Sequence, residues 1–369
     1  MSHRLIPMLL ILALTLTGCS GGSVYSNYRE LEQLCIVGTV GFDTAPDGVT
    51  LSVSAGEGAG GSLTHMHATA GTVELARERL QDYSRSEELF FAHTAYLAVG
   101  EDTAKSGLAQ YLDYVARAPD LRLGVPLFVV AGERAESLVT RSDAESVFRS
   151  VERDIKKRGE CPLPCVSDIV SSLDLNGCAL AVRVKAAPAD EVITDSKPDE
   201  LTAIPDGLQI LKNARSVGYL DSEGAFGVSV ITGSLGPAVL MLETADGRAS
   251  VSIDGCECEV TPLTGAEGLS GLGFDVSVRA ALRELDGTAD ESALSPALEN
   301  EVAARCRAAL YKSRELACDF MRLGALLERR SPHEYAGLAA GLSSRLPSLE
   351  FRINVSAELR RSFDIDDNE

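Results

Sequence analysis

Apolar residues set the pattern of this chain from its start. A nearly unbroken apolar run over residues 5–16 follows Arg4 and closes on Leu16-Thr17-Gly18-Cys19. Beyond it the pattern becomes periodic. Residues 29–34 read as a helical turn. Two strand-like stretches, 35–42 and 49–54, flank the turn residues Asp43, Pro46, Asp47 and Gly48, and this predicts a hairpin. Residues 72–84 place Val73, Leu75, Ala76, Leu80 and Tyr83 at helical spacing with charge on the other face. The spacing then predicts a strand over 90–99, a helix over 107–117 and a strand over 123–131. A charged helix over 144–158 is stopped by Gly159, and a helical stretch over 168–173 precedes an extended one over 178–184. Strands alternating with helices imply layered α/β packing in this half.

Between Lys185 and Pro205 the composition turns to Ala, Pro, Asp and Glu without periodicity, which marks a linker or long loop. Short apolar or alternating runs follow at 207–211, 216–220, 227–232, 239–244, 249–253, 257–262 and 274–285, separated by glycine and aspartate turns, as in an antiparallel sheet. From Ser295 to Glu328 the period becomes helical, with Ser295 placed as a cap and Pro296 at the first helical position. A second helix is expected over 332–345 and a closing strand over 349–360. The expected fold is therefore α+β of mixed α/β type in more than one domain: an alternating strand and helix region, then an antiparallel sheet packed with two late helices.

The first apolar run is too short to span a bilayer as a helix, which needs roughly 20 residues. A basic start, a short apolar region and small residues before a cysteine form a lipoprotein signal. It places an S-linked diacylglycerol on Cys19, with N-acylation of the same residue as a further option, and Ser20 to Ser23 as a short tether. Two acyl chains, at about 0.8 kcal/mol per buried CH₂, make such an anchor durable. The expected organisation is a signal peptide over 1–18, a lipidated tether over 19–28, an N-terminal domain over 29–185, a linker or loop over 186–205, a C-terminal domain over 206–362 and an acidic tail over 363–369.

Composition narrows the function. Lys and Arg number 34 against 54 Asp and Glu, a net charge of −20, and no basic cluster offsets it, so nucleic acid is excluded as a partner. Tryptophan is absent, which speaks against aromatic platforms for sugars or bases. Nine cysteines include Cys19. The pairs Cys161 with Cys165 and Cys256 with Cys258 lack the two-residue spacers of zinc sites and read as buried thiols or local disulfides. His65 and His67 are alternate residues without a neighbouring ligand set and read as solvated loop histidines; His93 reads as a buried imidazole in a strand. The glycine-rich stretch 56–61 lacks the Gly-Lys-Ser/Thr ending of a P-loop. No Gly-x-Ser-x-Gly elbow or His-Glu-x-x-His motif occurs, so no catalytic residue, metal or cofactor is expected.

The order of several weak motifs carries more. Arg29-Glu30-Leu31, Leu34 and then Gly38-Thr39-Val40-Gly41-Phe42-Asp43 are followed by Phe91-Ala92-His93, by Gly100-Glu101, and by Arg117-Ala118-Pro119-Asp120-Leu121-Arg122-Leu123. The second half carries Gly207-Leu208-Gln209-Ile210, Val217-Gly218-Tyr219-Leu220-Asp221 and Glu223 through Gly227. It closes on Cys318-Asp319-Phe320-Met321-Arg322-Leu323-Gly324, Pro332 and Arg360-Arg361. This series resembles the C subunits of spore germinant receptors, the GerAC or Ger(x)C lipoproteins. The chain departs from them in Ser20-Gly21, where a Trp-Asp pair often follows the lipidated cysteine, and in its many cysteines. The resemblance implies a noncatalytic lipoprotein working in germination with two integral membrane subunits, A and B, on the outer face of the spore inner membrane. There nutrients such as amino acids or sugars act as triggers. The residues alone also allow a lipid-anchored protein that binds a solute or wall fragment in a cleft around 185–205.

Overall fold

Leu34–Ala45 forms strand β1, and its middle is buried on both sides, as expected of a strand inside a layered domain. It pairs antiparallel with β2 (Gly48–Glu57) across the turn at Pro46 and Asp47, which is the hairpin expected from the sequence. A computed structural model describes residues 34–57, 64–84, 88–141, 143–188, 201–244, 247–266, 268–287 and 291–360. The signal, Cys19 and its tether, residues 29–33 of the expected first helical turn, residues 58–61 of the glycine-rich stretch and the acidic tail lie outside them. Leu34 itself begins β1.

The larger sheet adds β3 (Thr64–Ala70) beside β2, then β5 (Tyr96–Gly100), β6 (Leu127–Val130), β7 (Cys178–Pro188), β8 (Leu201–Lys212) and β9 (Arg215–Leu220). The order is β3-β2-β1-β5-β6-β7-β8-β9, with β4 (Glu88–Phe90) also on β1. Strands β1, β5, β6 and β7 run parallel; β2, β3, β8 and β9 extend the sheet antiparallel at its two sides. Helices cover both faces. On one face α1 (Val73–Tyr83), α3 (Ala109–Arg117) and α6 (Val166–Asn176) bury Leu80, Tyr111, Val115 and Ile169 against Phe42, Val53 and Leu97. On the other, α4 (Glu136–Val139) and α5 (Ala144–Arg158) bury Leu138, Phe148 and Ile155 against Tyr96, Phe128 and Val182. Short helix α2 (Glu101–Ser106) follows β5 directly.

In the second part β10 (Ala238–Thr244), β11 (Gly247–Gly265), β12 (Gly268–Gly287) and β13 (Glu350–Arg360) form a four-stranded sheet in that order. Helices α7 (Ser222–Thr232), α8 (Glu291–Glu315), α9 (Leu323–Arg330) and α10 (Leu338–Arg345) complete it. Phe226, Leu298, Cys306, Leu327 and Leu342 pack with Phe274 and Val276, and the same core takes in Leu180, Leu208 and Ile210 from the larger sheet. Backbones of α7 and α8 meet at Gly227, where a Cβ would stand 2.1 Å from the carbonyl oxygen of Arg305.

The structure differs from the expected elements in places that share a cause. Residues 227–232 read as strand but belong to α7, because Gly224 to Ile231 are all buried and an all-round apolar helix has no amphipathic period. The run 90–99 is broken by a 3₁₀ turn over Phe91–His93, held where Thr94 donates to Phe91 O and Arg122 donates to Ala92 O. The region 123–131 is strand only over β6, and the helix expected over 107–117 is α3, preceded by the separate short helix α2. Helix α8 starts at Glu291, so Ser295 is no cap and Pro296 lies inside the helix; the helical period of 295–328 is interrupted before α9. The runs 249–253 and 257–262 are one long strand, and the closing strand β13 pairs parallel with β12. Finally, the interval expected as linker is strand at both ends. β7 and β8 remain paired out to Pro188 opposite Leu201, so the larger sheet runs on to Leu220. Within that interval β7 contributes only residues 185–188 and β8 only 201–205, stretches too short to show a period.

Candidate functional site

Motif residues far apart in the sequence meet at the carboxyl ends of the parallel strands. Asp43 lies near the end of β1 and Gly100 ends β5, and the two are in contact: a Cβ on Gly100 would stand 2.4 Å from Asp43 Oδ1. The Asp43 carboxylate accepts the backbone N–H of Ala135 (2.9 Å) and of Glu136 (3.0 Å) at the start of α4. Burial pushes its pKa up from the usual range, against the pull of those two N–H groups and of Arg134, whose Nε is 3.8 Å away. Glu136 in turn pairs with Arg134 (3.1 Å) and with His67 on β3 (3.0 Å).

Beside it, Glu101 opens α2 and accepts the N–H of Gly132 at 2.6 Å. Arg183 of β7 lies 3.4 Å from Glu101, donates to Asp206 Oδ2 (2.8 Å) and Gln209 Oε1 (2.9 Å) on β8, and stacks over the Tyr219 ring of β9 at 4.4 Å. Burial opposes ionisation of Glu101, but Gly132, Arg183 and Lys105 outweigh it and hold its pKa below the usual carboxylate range. The guanidinium thus ties α2, β7, β8 and β9 together. Every carboxylate in this rim is committed to backbone N–H groups or cations, an arrangement that fixes loops rather than activating water.

The other motifs form similar clasps. Asp120 pairs with Arg77 of α1, whose guanidinium lies 4.5 Å from the Phe91 ring centroid, and Arg122 closes on Ala92 O at 2.9 Å. Asp319, between α8 and α9, accepts the N–H groups of Leu323 (2.8 Å) and Gly324 (2.9 Å). Burial pushes its pKa up to about 6 although both N–H groups favour the charged form. Asn176 Nδ2 donates to Asp319 O (2.9 Å) and Lys212 Nζ donates to Leu316 O (2.9 Å), so this turn is moored to the larger sheet.

Among the candidate ligands, His65 and His67 stand on β3 rather than in a loop. Burial lowers the pKa of His65, although Asp143 and the carbonyl of Val139 oppose it. His93 is exposed, not a buried strand imidazole; its ring packs 5.5 Å from that of Phe90. Cys165 caps α6 and donates to Asp168 Oδ2 at 2.9 Å, while Cys161 points to Pro162 O, so the two do not pair. Cys161, Cys165, Cys178, Cys256, Cys258, Cys306 and Cys318 are free thiols, and among the described residues no cluster of three or more His, Cys, Asp or Glu could hold a metal. No described helix is long and apolar enough to cross a membrane.

Concave regions also lie outside these clasps. A cavity of about 320 Å³ is lined by Arg158, Cys161, Ile204, Pro205 and Ser222 near one end of the expected 185–205 cleft. A more open groove of about 940 Å³ runs along edge strand β10, where Val239 is 62% and Met241 59% exposed, and faces Pro296, Asn300 and Arg305 of α8. Sequence reasoning did not single out Arg183 or Asn176. Arg183 left a signal, a lone charge within the apolar run 178–184; Asn176 left none.

Residues 27–152 match the family model described as "Spore germination protein N-terminal domain". Residues 206–363 match "Spore germination B3/ GerAC like, C-terminal". YfkR of Bacillus subtilis strain 168, named as a spore germination protein, is 29% identical over 129 residues, which is 35% of this chain and 31% of the relative. The match thus spans about a third of that protein's length. The crystal structure of the GerBC protein superimposes with a TM-score of 0.58 over 87% of this chain and 96% of that chain, at 15% identity. At that identity the likeness is one of fold.

Proposed function

Because this chain belongs to the GerAC-like family of spore germination proteins, we propose that it is the noncatalytic, lipid-held C subunit of a nutrient germinant receptor. In this reading Cys19 carries the lipid, the folded part stands on the outer face of the spore inner membrane, and the two integral subunits A and B are its partners. A role in spore germination follows from the family; the lipid, the face and the partners are our extension of it. The observation that carries the reading is where the family's own motifs fall. Asp43, Gly100, Glu101, Asp120 and Asp319 all serve to lock loops, turns and helix ends, as an assembly subunit requires. The apolar edge at Val239 and Met241 offers a docking face of a kind that such a subunit needs.

The test is made in spores that produce the chain. Deleting the gene abolishes or delays germination to at least one nutrient, and Cys19→Ala moves the protein from the membrane to the soluble fraction with the same defect. Normal germination to every nutrient in a strain stripped of other receptors refutes the reading. The cavity at Pro205 supports a second reading, a lipid-anchored protein that binds a solute or wall fragment. That protein would bind its ligand when purified alone and would leave germination unchanged when deleted.

A further inference from the structure

The thiols of Cys178 and Cys318 come from opposite parts of the fold and meet in its interior. Cys178 opens β7, and Cys318 lies in the turn between α8 and α9. They are 1% and 0% exposed, and Ser343 Oγ joins the two segments, meeting Cys178 Sγ and the N–H of Asp319 beside Cys318. Cys178 Sγ is 3.6 Å from Ser343 Oγ, and Cys318 Sγ is 3.7 Å from Leu211 O.

The surrounding backbone is fixed on both sides of the pair. The Asn176 amide bridges them, taking the N–H of Cys178 on Oδ1 (2.9 Å) and giving a hydrogen bond from Nδ2 to Asp319 O (2.9 Å). Lys212, the strand partner of Cys178, holds Leu316 O, and Ser343 accepts the N–H of Asp319 at 3.0 Å. Two thiols kept together by four such contacts have a high effective concentration toward one another. We propose that Cys178 and Cys318 form a disulfide that staples the larger sheet to the turn before α9.

Other thiols are less suited. Cys256 and Cys258 sit two apart on one strand, where spacing of about 6.8 Å between their backbones resists bridging. Cys161 and Cys165 are turned to other acceptors. Once the two have met, the neighbouring Cys318 thiol, aided by Ser343, brings the Cys178 thiol down to about 7 in spite of burial, whereas Cys318 is pushed up.

The chemistry is thiol–disulfide exchange with a disulfide oxidant. The Cys178 thiolate attacks one oxidant sulfur, the oxidant S–S bond breaks, and a thiolate leaves. Cys318, on losing its proton, attacks Cys178 Sγ and expels the second oxidant sulfur. The protein dithiol is oxidised, one oxidant disulfide is reduced to two thiols, and these carry away the two protons. Since both sulfurs are enclosed once folded, the exchange takes place before the turn over residues 316–322 has docked. An extracytoplasmic position would favour it, but the proposal stands independently of the receptor reading.

The experiment uses the full chain, unfolded and reduced, then refolded in mixtures of oxidised and reduced glutathione. Free thiols are alkylated and the peptides mapped by mass spectrometry. The Cys178–Cys318 linked peptide is expected to dominate at a poise where Cys256, Cys258 and Cys306 are still recovered alkylated. Reducing the refolded protein should lower its Tm by about 5 °C or more, in keeping with the long loop closed. Cys178→Ser or Cys318→Ser should each remove the linked peptide and the reductant-dependent change in Tm. Recovery of both cysteines as alkylated thiols at every poise, or preferentially linked to other cysteines, overturns the proposal. The mapping on the unsubstituted chain decides the matter even where a serine variant does not fold.

Discussion

Asp43 Oδ1 occupies the space that a side chain on Gly100 would need, with only 2.4 Å between that oxygen and a Cβ built there. The end of β5 is therefore tied to the end of β1 by steric fit as well as by the hydrogen bonds of Asp43 to α4.

Gly100→Ala must displace Asp43 or the backbone of Glu133 and Arg134, each 3.1 Å or less from the new carbon. It is expected to destabilise the protein by about 2 kcal/mol or more. Gly71→Ala, which meets no atom within 4 Å, should change stability by no more than about 0.5 kcal/mol. Urea unfolding of the two variants beside the parent measures both.

Glu101 and Arg183 lead to a pH-dependent outcome. The folded-state pKa of Glu101 is depressed, so its stabilisation is present above its ordinary pKa and is lost as pH falls through the lower folded value. Glu101→Gln should cost about 1 to 2 kcal/mol at pH 7, and the gap to the parent should close in acid, below about pH 4. A gap that stays constant down to pH 3 would remove the carboxylate from the stabilising role given to it.

Asp319 should do the reverse. Its folded pKa is raised to about 6, so the folded state takes up a proton sooner than the unfolded chain, and stability from this group falls as pH rises from about 4 to 6. Asp319→Asn is expected to lose about 1 to 3 kcal/mol through the two N–H groups it caps. The deficit relative to the parent should grow as pH is lowered from 7 to 4, by at most about 3 kcal/mol. Parallel denaturation series of Glu101→Gln and Asp319→Asn should thus give opposite slopes.

Cys19→Ser tests the anchor separately from the fold. The variant should unfold at the same Tm as the parent when both are soluble, yet fail to sediment with membranes on fractionation of cells that process lipoproteins. Sedimentation equal to that of the parent would assign membrane attachment to another part of the chain.

The elements most legible in the sequence were those with one wet face. α5 is found over the expected residues 144–158, with Gly159 in the left-handed conformation at its end, because its charges and apolar positions fall on opposite sides. α7 was illegible because burial on all sides erases the period that distinguishes helix from strand. The rim was half visible. Asp43 and Glu101 stood out as motif residues, but Asp43 caps a helix 92 residues farther on, and such a partner leaves no local trace. Cys178 and Cys318 were isolated letters until β7 and the turn before α9 brought them together.

We propose this chain as one subunit of a membrane receptor. The most direct test is affinity isolation of the chain from detergent-solubilised spore inner membranes, with the co-isolated proteins identified and quantified by mass spectrometry. Two integral membrane proteins are expected in comparable amounts, lost on gentle washing from the Cys19→Ala strain. Recovery of the chain without integral membrane partners, or with the subunits of a solute permease, would contradict it.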